Sequence, residues 1–185
     1  MRIISGSARG KRLQTFKNKA IRPTSDRVRE AIFSIITSRT GSMAGLQVLD
    51  ICAGTGALGL EALSRGASKC TFIDNSHQAA EIIAHNSKTC TLSNNVQIIK
   101  SEYTRAMPRL GTSTFDLIFI DPPYNRNMLP PIIECISNLN LLAPDGIICA
   151  EESSTAAVPD ETGRFICADV RTYGDTSIYL FQRKN

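Results

Sequence analysis

The sequence predicts an α/β domain built on a mostly parallel β-sheet with helices on both faces. Three observations lead to this fold class. From Leu46 onward, apolar runs of strand length alternate with stretches of helical periodicity, which is typical of parallel sheets. The first strand leads directly into a glycine-rich turn. The last two strands are separated only by the turn at residues 173–175, which indicates an antiparallel hairpin added to the parallel sheet.

The strands and helices of this domain are separated by glycines at positions 41, 45, 66, 111 and 146. We expect strands near residues 46–51, 69–74, 95–100, 115–121 and 146–150. We expect helices near residues 57–66, 76–91 and 127–141. Residues 164–172 and 177–182 are predicted to form the terminal hairpin.

Residues 1–42 are predicted to form an N-terminal extension ahead of this domain. Residues 1–23 read as a small β-element, because short strands around Ile3 and Leu13 flank a turn that contains Gly6 and Gly10. A helix follows Pro23 and the candidate capping residues 24–26. Its apolar face consists of Val28, Ala31, Ile32, Ile35 and Ile36.

Phe33 falls on the opposite, polar face of that helix. We expect it to pack under the rest of the extension, and a contact with RNA is the alternative.

The charge of the chain is unevenly distributed. The formal net charge is +4, but residues 1–42 hold ten lysines and arginines against two acidic residues, and residues 43–185 are mildly acidic. A basic extension on an acidic domain favours a polyanionic partner such as nucleic acid, and an extension that is merely solvated is the alternative. The candidates for phosphate contacts are Arg2, Arg9, Lys11, Arg12, Arg22, Arg27 and Arg126.

The composition excludes several classes of protein. Hydrophobic residues make up 42% and charged residues 21% of the chain, as in ordinary globular proteins. No apolar run approaches the roughly 20 residues of a membrane span, and the first residues lack the apolar core of a signal peptide. We therefore expect a cytoplasmic protein without a membrane partner. We also expect a monomer. The six cysteines form no CxxC pair, so we expect reduced thiols and no metal site.

The glycine-rich turn after the first strand is a candidate cofactor site. Gly54, Gly56 and Gly59 match the pattern G-x-G-x-x-G, and Asp74 ends the next strand, where an acid that binds ribose is expected. These features alone also permit a dinucleotide. Asp50 lies four residues before Gly54, where its charge opposes a pyrophosphate but suits an ammonium group. The loop therefore favours S-adenosylmethionine over NAD.

Each candidate residue has an expected role with this cofactor. Asp50 attracts the methionine ammonium through water, and Asp74 binds the ribose hydroxyls. Glu102 follows the third strand and is placed near the adenine amine. A turn-capping role for Asp50 and an ordinary surface position for Glu102 are the alternatives. The backbone that cradles the methionine portion belongs to Ala53, Gly54, Thr55 and Gly56.

The tetrapeptide Asp121-Pro122-Pro123-Tyr124 is the most informative motif. It follows an apolar strand, at whose carboxyl end open α/β sheets bind ligands. The prolines fix the backbone and remove two N–H donors, which leaves a carboxylate, carbonyl oxygens and an aromatic ring. That set suits a planar ring with an amino group, and a simple strand-ending turn is the alternative. The catalytic candidates are Asp121, Pro122 and Tyr124.

These motifs together resemble the class I S-adenosylmethionine-dependent methyltransferases that act on amino groups, whose signature includes (Asp/Asn)-Pro-Pro-(Tyr/Phe). Once the extension is included, the chain resembles the RsmD family over nearly its whole length. The segments that carry this narrower resemblance are residues 2–6, 9–13, 22–31 and 56–67.

The resemblance implies a Rossmann-like domain with a seven-stranded sheet whose last strand is antiparallel. It implies an RNA-binding extension over residues 1–42 and a catalytic domain that binds S-adenosylmethionine over residues 43–185. The implied reaction methylates the exocyclic 2-amino group of one guanine in bacterial small-subunit (16S) ribosomal RNA. A protein-bearing, assembled or assembling subunit is the expected substrate, because a short extension is small for recognising a unique loop.

Three other functions remain compatible with parts of the sequence. An NAD-linked oxidoreductase would explain the glycines and Asp74, but not residues 121–124 or the basic extension. A non-catalytic RNA-binding module would leave both motifs unused. An amino-methyltransferase of adenine, of another RNA or of DNA would share the Pro-Pro motif, but 185 residues leave no obvious room for a separate DNA-recognition domain.

Overall fold

The structure, a computed structural model, describes residues 1–16, 26–124 and 126–184. Its α-helices are α1 (Asp26–Thr40), α2 (Ala57–Ser64), α3 (His77–Thr89), α4 (Tyr103–Ala106) and α5 (Leu129–Asn138). Its strands are β1 (Gln47–Ile51), β2 (Lys69–Asp74), β3 (Val96–Lys100), β4 (Phe115–Ile120), β5 (Leu142–Ser153), β6 (Glu161–Thr162), β7 (Phe165–Tyr173) and β8 (Thr176–Arg183).

One sheet runs through the whole domain in the order β3-β2-β1-β4-β5-β8-β7-β6. Strands β1 to β5 pair in parallel, and β8 lies antiparallel between β5 and β7. This arrangement confirms the predicted Rossmann-like sheet with an antiparallel last strand. The number of strands rises from the expected seven to eight because the two-residue strand β6 pairs with β7 at the edge.

The strand order reverses between β1 and β4. In open α/β sheets a crevice forms at such a reversal, beyond the carboxyl ends of the strands, and ligands bind there. The fold therefore places the ends of β1 and β4, with the residues that follow them, at the position where a ligand site is expected.

Each face of the sheet has its own hydrophobic core. Residues 1–16 and helices α1, α2 and α3 pack on one face, and α4 and α5 pack on the other. The side chains of strand β4 alternate between the two cores, because successive side chains of a strand point to opposite faces of the sheet. Leu117 and Phe119 belong to the first core, and Ile118 and Ile120 belong to the second.

The N-terminal extension shares the first core with the domain. Ile3 and Leu13 are buried there, and a single antiparallel bridge between Arg2 and Arg12 replaces the two regular strands that were expected. Glu61 of α2 is wholly buried, and its carboxylate accepts the backbone N–H groups of Ile4 and Ser5 at 2.8 and 2.9 Å. The extension is thus held by polar groups of the domain as well as by apolar packing.

Two buried side chains, Phe33 and Arg29, hold helix α1 in place. Phe33 is fully buried, its ring lies 5.6 Å from that of Phe119, and the guanidinium of Arg65 lies 4.7 Å over it. Phe33 is therefore packed, as expected, but against the sheet and Arg65. The buried side of α1 consists of Arg29, Ile32, Phe33 and Ile36, so the expected position of Phe33 on the polar face is wrong. Arg29 is also fully buried and donates a hydrogen bond of 2.7 Å to the Arg2 carbonyl, so the helix holds the start of the chain in place.

Candidate active site at the carboxyl edge of the sheet

The loop after β1 has the backbone of a ligand cradle. Cys52, Gly54 and Gly56 all have positive φ angles, of 59°, 53° and 74°. Such conformations are expensive for most residues and easy for glycine, and here they fold the chain into a tight turn. The turn is closed by a hydrogen bond of 2.7 Å from the Gly56 N–H to the Ala53 carbonyl. Helix α2 begins immediately after Gly56.

Gly59 is required for a different reason, the close packing of α2 on β2. A Cβ atom at this position would lie 2.4 Å from the Phe72 ring and 2.5 Å from the Cys70 sulfur. Gly59 therefore sets how closely α2 lies to the sheet, and so where the start of that helix sits relative to the loop.

Asp50 lies beneath the glycine loop and is 1% exposed. One carboxylate oxygen accepts the Gly59 N–H at 2.9 Å. Burial raises the pKa of Asp50 to about 8, with the Gly59 hydrogen bond opposing the increase and the Asp74 charge adding to it. The carboxylate thus holds the start of α2, as in the turn-capping alternative. Its predicted role with a cofactor ammonium stays a prediction.

Asp74 joins the loop to the end of β2. One of its oxygens accepts the Gly54 N–H at 2.8 Å, and the other accepts the Ser76 N–H at 2.9 Å. Glu102 lies on the same side of the loop, where its carboxylate accepts a hydrogen bond of 2.6 Å from the Asn75 side chain. Hydrogen bonds from neutral N–H groups therefore fix the positions of the Asp74 and Glu102 carboxylates.

The acidic candidates converge on one side chain that the sequence did not single out, the Cys52 thiol. Burial and nearby negative charges together raise the pKa of this thiol to about 12, with burial the larger cause. The charges belong to Asp74, Asp121, Asp50 and Glu102. These acids lie at or just after the carboxyl ends of β1, β2, β3 and β4, which share one edge of the sheet with Cys52. In the sequence, only the positions of these acids at the ends of predicted strands could have indicated that they lie near Cys52.

The motif at residues 121–124 leaves the sheet beside this point. The Asp121 N–H donates to the Ile51 carbonyl at 3.3 Å, which ties the end of β4 to the end of β1. Asp121 and Tyr124 are half-buried, Pro122 is buried and Pro123 is exposed. A half-buried carboxylate and a half-buried aromatic ring are therefore held on a rigid turn at the crevice.

Tyr124 reveals two residues that sequence reasoning missed. Its hydroxyl group donates a hydrogen bond of 2.5 Å to Glu151 and lies 2.9 Å from the Thr176 hydroxyl. Burial, followed by the hydrogen bond to Glu151, raises the pKa of Tyr124 above its ordinary value. Glu151 could have been suspected because it lies on β5, the next strand to β4, just past a run of apolar residues.

The predicted RNA contacts lie on the surface. Arg2, Arg9, Lys11, Arg12, Arg27 and Arg126 are exposed, and Arg22 lies outside the described residues. An open groove of about 560 Å³ runs between the extension and α1, and Arg9, Glu30 and Arg65 are among its lining residues. The described basic candidates are therefore accessible to a partner, and their contact with phosphates stays a prediction.

The first 16 residues also touch the glycine loop. Asn86 of α3 is fully buried, and its side-chain amide group donates to the carbonyls of both Gln14 and Thr55, at 3.1 and 3.0 Å. Phe16 lies near the loop as well, since a Cβ atom on Gly54 would be 3.8 Å from its ring. The extension and the candidate cofactor site are thus adjacent.

Metal-binding clusters and membrane-spanning helices are both absent from the described ranges. No group of three or more His, Cys, Asp and Glu side chains there could hold a metal ion. None of the helices in those ranges has the length and apolar character needed to cross a bilayer.

Comparison with known proteins supports one family. The family model described as "Conserved hypothetical protein 95" matches residues 1–182. The ribosomal RNA small subunit methyltransferase D of Escherichia coli strain K12 is 30% identical over 184 residues, which cover 100% of this chain and 90% of that protein. The protein of the same name from Haemophilus influenzae is 33% identical, with 98% of this chain and 93% of the relative covered.

Solved structures agree with this comparison. The structure of the Escherichia coli protein yhhF is 31% identical, has a TM-score of 0.84, and covers 100% of this chain and 98% of its own. A hypothetical protein from Thermus thermophilus, TTHA0928, also has a TM-score of 0.84, at 24% identity, with 98% and 99% of the two chains covered. The second similarity shows the shared fold.

Proposed function

This chain belongs to the RsmD family, described as conserved hypothetical protein 95, and from that premise we propose that it methylates small-subunit (16S) ribosomal RNA. The methyl group comes from S-adenosylmethionine, and the acceptor is the exocyclic 2-amino group of a guanine. Relatives named ribosomal RNA small subunit methyltransferase D support ribosomal RNA as the substrate. The resemblance to the RsmD family supports guanine as the methylated base.

One observation carries the proposal. The Asp121 N–H donates to the Ile51 carbonyl at 3.3 Å, directly before the glycine loop, and Asp74 accepts the Gly54 N–H of that loop at 2.8 Å. This geometry at the strand-order reversal supports an amine site beside a cofactor site. A transferase needs its two substrates in such an arrangement.

The residues present fit S-adenosylmethionine. The positive-φ turn at Gly54 and Gly56 exposes backbone close to a ligand, and Asp74 and Glu102 offer carboxylates to hydroxyl and amino groups. A bound ammonium near Asp50 would favour its ionised form and lower its raised pKa. When bound, the cofactor supplies an electrophilic methyl group.

Asp121 and Pro122 act on the acceptor amine in this mechanism. The lone pair of an aromatic amine is delocalised into the ring, so the nitrogen is a poor nucleophile. The Asp121 carboxylate and the Pro122 carbonyl accept its two hydrogens, which favours a pyramidal nitrogen and directs the lone pair. Positioning of this kind can supply roughly 7–11 kcal/mol of the barrier. The released proton passes to Asp121 or to water.

Tyr124 provides the stacking surface for the base. Stacking on an aromatic ring is worth about 1–3 kcal/mol per base, comparable to the few kcal/mol that unstacking a base costs. This balance favours a base in a loop or a single strand over one inside a continuous duplex. The exposed arginines and Lys11 of the N-terminal extension would bind the surrounding phosphates.

Methyl transfer followed by nucleoside analysis tests the proposal. Purified protein would be incubated with tritiated S-adenosylmethionine and either naked 16S RNA or isolated small subunits from cells that lack the enzyme. We expect label in N2-methylguanosine, with small subunits as the better substrate. Label in methyladenosine would reject the base assignment. Absence of transfer to both substrates, with S-adenosylmethionine bound, would reject the activity.

A further inference from the structure

We propose that Glu151 and Thr176 are positioning residues that orient the Tyr124 ring through its hydroxyl group. We call these two residues the Tyr124 anchor. The inference rests on the proposed function, because it assigns the ring of Tyr124 to a base.

Strand register places the anchor beside the catalytic candidates. Ile120 of β4 lies opposite Ala150 of β5, so Asp121 and Glu151 are the next residues along two adjacent parallel strands. Both continue the face to which Phe119 and Cys149 belong. Burial raises the pKa of the Cys149 thiol, and the charges of Glu151 and Asp121 raise it further, which agrees with the two carboxylates being neighbours.

Thr176 reaches the same point from the antiparallel hairpin. It is the first residue of β8, where it pairs with Ser153 at the end of β5. Glu151 and Thr176 are 5% and 7% exposed. The terminal hairpin therefore contributes a side chain to the candidate active site as well as two strands to the sheet.

The hydrogen bonds restrict a ring that the backbone already restricts at one end. Pro122 and Pro123 limit the backbone before Tyr124. At the other end of the side chain, the hydroxyl group is held by Glu151 and Thr176. A hydrogen bond to a carboxylate is about twice as strong as one between neutral groups. With both ends fixed, the ring presents one orientation to an incoming base and loses little entropy on binding.

The hydrogen bond to Tyr124 also serves Glu151. A nearly buried carboxylate requires hydrogen-bond donors, and the Tyr124 hydroxyl is one of the donors to Glu151. The family signature allows Phe or Tyr at this position, so the hydroxyl is not required for stacking itself. It is used here to fix the ring.

Substitutions separate orientation from stacking. Tyr124→Phe keeps the ring and removes the hydroxyl group that the anchor holds, and we expect kcat/KM for RNA to fall about tenfold. Glu151→Ala should give a similar loss. Glu151→Gln should recover activity to within about threefold of wild type, since the amide oxygen still accepts the hydroxyl. Thr176→Val should have the smallest effect. Glu134→Ala, on the exposed face of α5, is the matched control.

The double variant decides whether Glu151 acts through Tyr124. If it does, Tyr124→Phe combined with Glu151→Ala should be no worse than either single variant. If the losses of kcat/KM in the two single variants multiply in the double variant, Glu151 contacts the base itself and the proposal is overturned. Unchanged kcat and KM in Tyr124→Phe would also overturn it. The affinity for S-adenosylmethionine should stay within about twofold in all variants, as expected of a change confined to the base site.

A measurement without RNA keeps this proposal separate from the proposed function. The protein has four tyrosines and no tryptophan, so ring-labelled tyrosine gives a simple carbon-13 NMR spectrum that Tyr124→Phe assigns. We expect the Tyr124 ring to become more mobile in Glu151→Ala and not in Glu134→Ala. A Tyr124 ring that is as rigid in Glu151→Ala as in wild type would refute the anchor even if the enzyme is active. Inactivity of the wild type on guanine would refute only the proposed function.

Discussion

The side chain of Asn86 pairs with both backbone polar groups of Gln14. Its carbonyl oxygen accepts the Gln14 N–H at 2.7 Å, and its amide group donates to the Gln14 carbonyl at 3.1 Å. The second amide hydrogen goes to the Thr55 carbonyl in the glycine loop. One fully buried amide thus links the N-terminal extension to the candidate cofactor site.

Asn86→Ala should weaken both connections. It would leave the Thr55 carbonyl and the polar groups of Gln14 without this partner, at a cost of about 1–3 kcal/mol in the free energy of unfolding. Denaturant titration would measure this cost, with the exposed Asn94→Ala as control. Affinity for S-adenosylmethionine should fall in the same variant, and equal stability of the two variants would contradict the linking role.

Asp50→Asn should change how stability depends on pH. The folded-state pKa of Asp50 is about 8, against 3.8 for an exposed carboxyl. Between these values the unfolded state releases the proton and the folded state retains it, so wild type loses stability as pH rises. The amide of the variant does not titrate. We therefore expect wild type to lose at least about 1 kcal/mol relative to the variant from pH 5 to pH 8. Parallel stability curves would refute the raised pKa.

Gly59→Ala should be more damaging than an ordinary glycine substitution. Its Cβ would lie within 2.5 Å of Phe72 and Cys70, so α2 would have to move away from the sheet. Gly10→Ala is the comparison, because that site has a positive φ but open space around it, and should cost about 1 kcal/mol. We expect a greater loss of melting temperature and of cofactor affinity in Gly59→Ala, and equal losses would contradict the packing argument.

Asp74→Ala and Asp121→Ala should separate cofactor binding from methyl transfer. Asp74 holds the Gly54 and Ser76 N–H groups and is the candidate ribose ligand, so its removal should lower the affinity for S-adenosylmethionine at least about tenfold. Asp121→Ala should keep that affinity within a few-fold and abolish transfer. Calorimetry and single-turnover transfer measure the two effects. Wild-type turnover in Asp121→Ala would exclude its catalytic role.

Lys11→Ala combined with Arg12→Ala should reduce the salt dependence of RNA binding. Each lost phosphate contact lowers the slope of log K against log salt by about one. Arg109→Ala is the control, because Arg109 lies with Gln47 and Lys69 at the amino edge of the sheet, away from the candidate site. A slope that is unchanged in the double variant would argue against the extension as the RNA-binding surface.

The sequence predicted the central parallel strands well. Strands β1 to β4 fall within one residue of the expected bounds, because each is a short, mainly apolar run. Strand β5 begins at Leu142, four residues before the expected start, since Pro144, Asp145 and Gly146 break its pattern. The four-residue helix α4 was missed because one turn is too short to show helical periodicity.

The candidate site was predictable where a motif supplied it. The glycines, Asp50, Asp74 and the 121–124 motif all lie at or just after the ends of strands, and the fold brings them to one edge. Glu151 follows the predicted strand 146–150 and could have been suspected, but no motif marks Glu151 or Thr176 as a partner of Tyr124. They lie 27 and 52 positions from Tyr124, and only the pairing of β5 with β4 and β8 brings them to it.

The buried carboxylate of Glu61 has a practical consequence for engineering. Its hydrogen-bond partners are the backbone N–H groups of Ile4 and Ser5 and the side chain of Arg65, and the Arg29 guanidinium lies 3.9 Å away. Truncation ahead of residue 43 would strip away two of these donors and expose the surface beneath them. Chimeras that exchange residues 1–42 between homologues should therefore keep an acid at the position of Glu61 on α2. Residues 1–42 cannot be treated as a separable module.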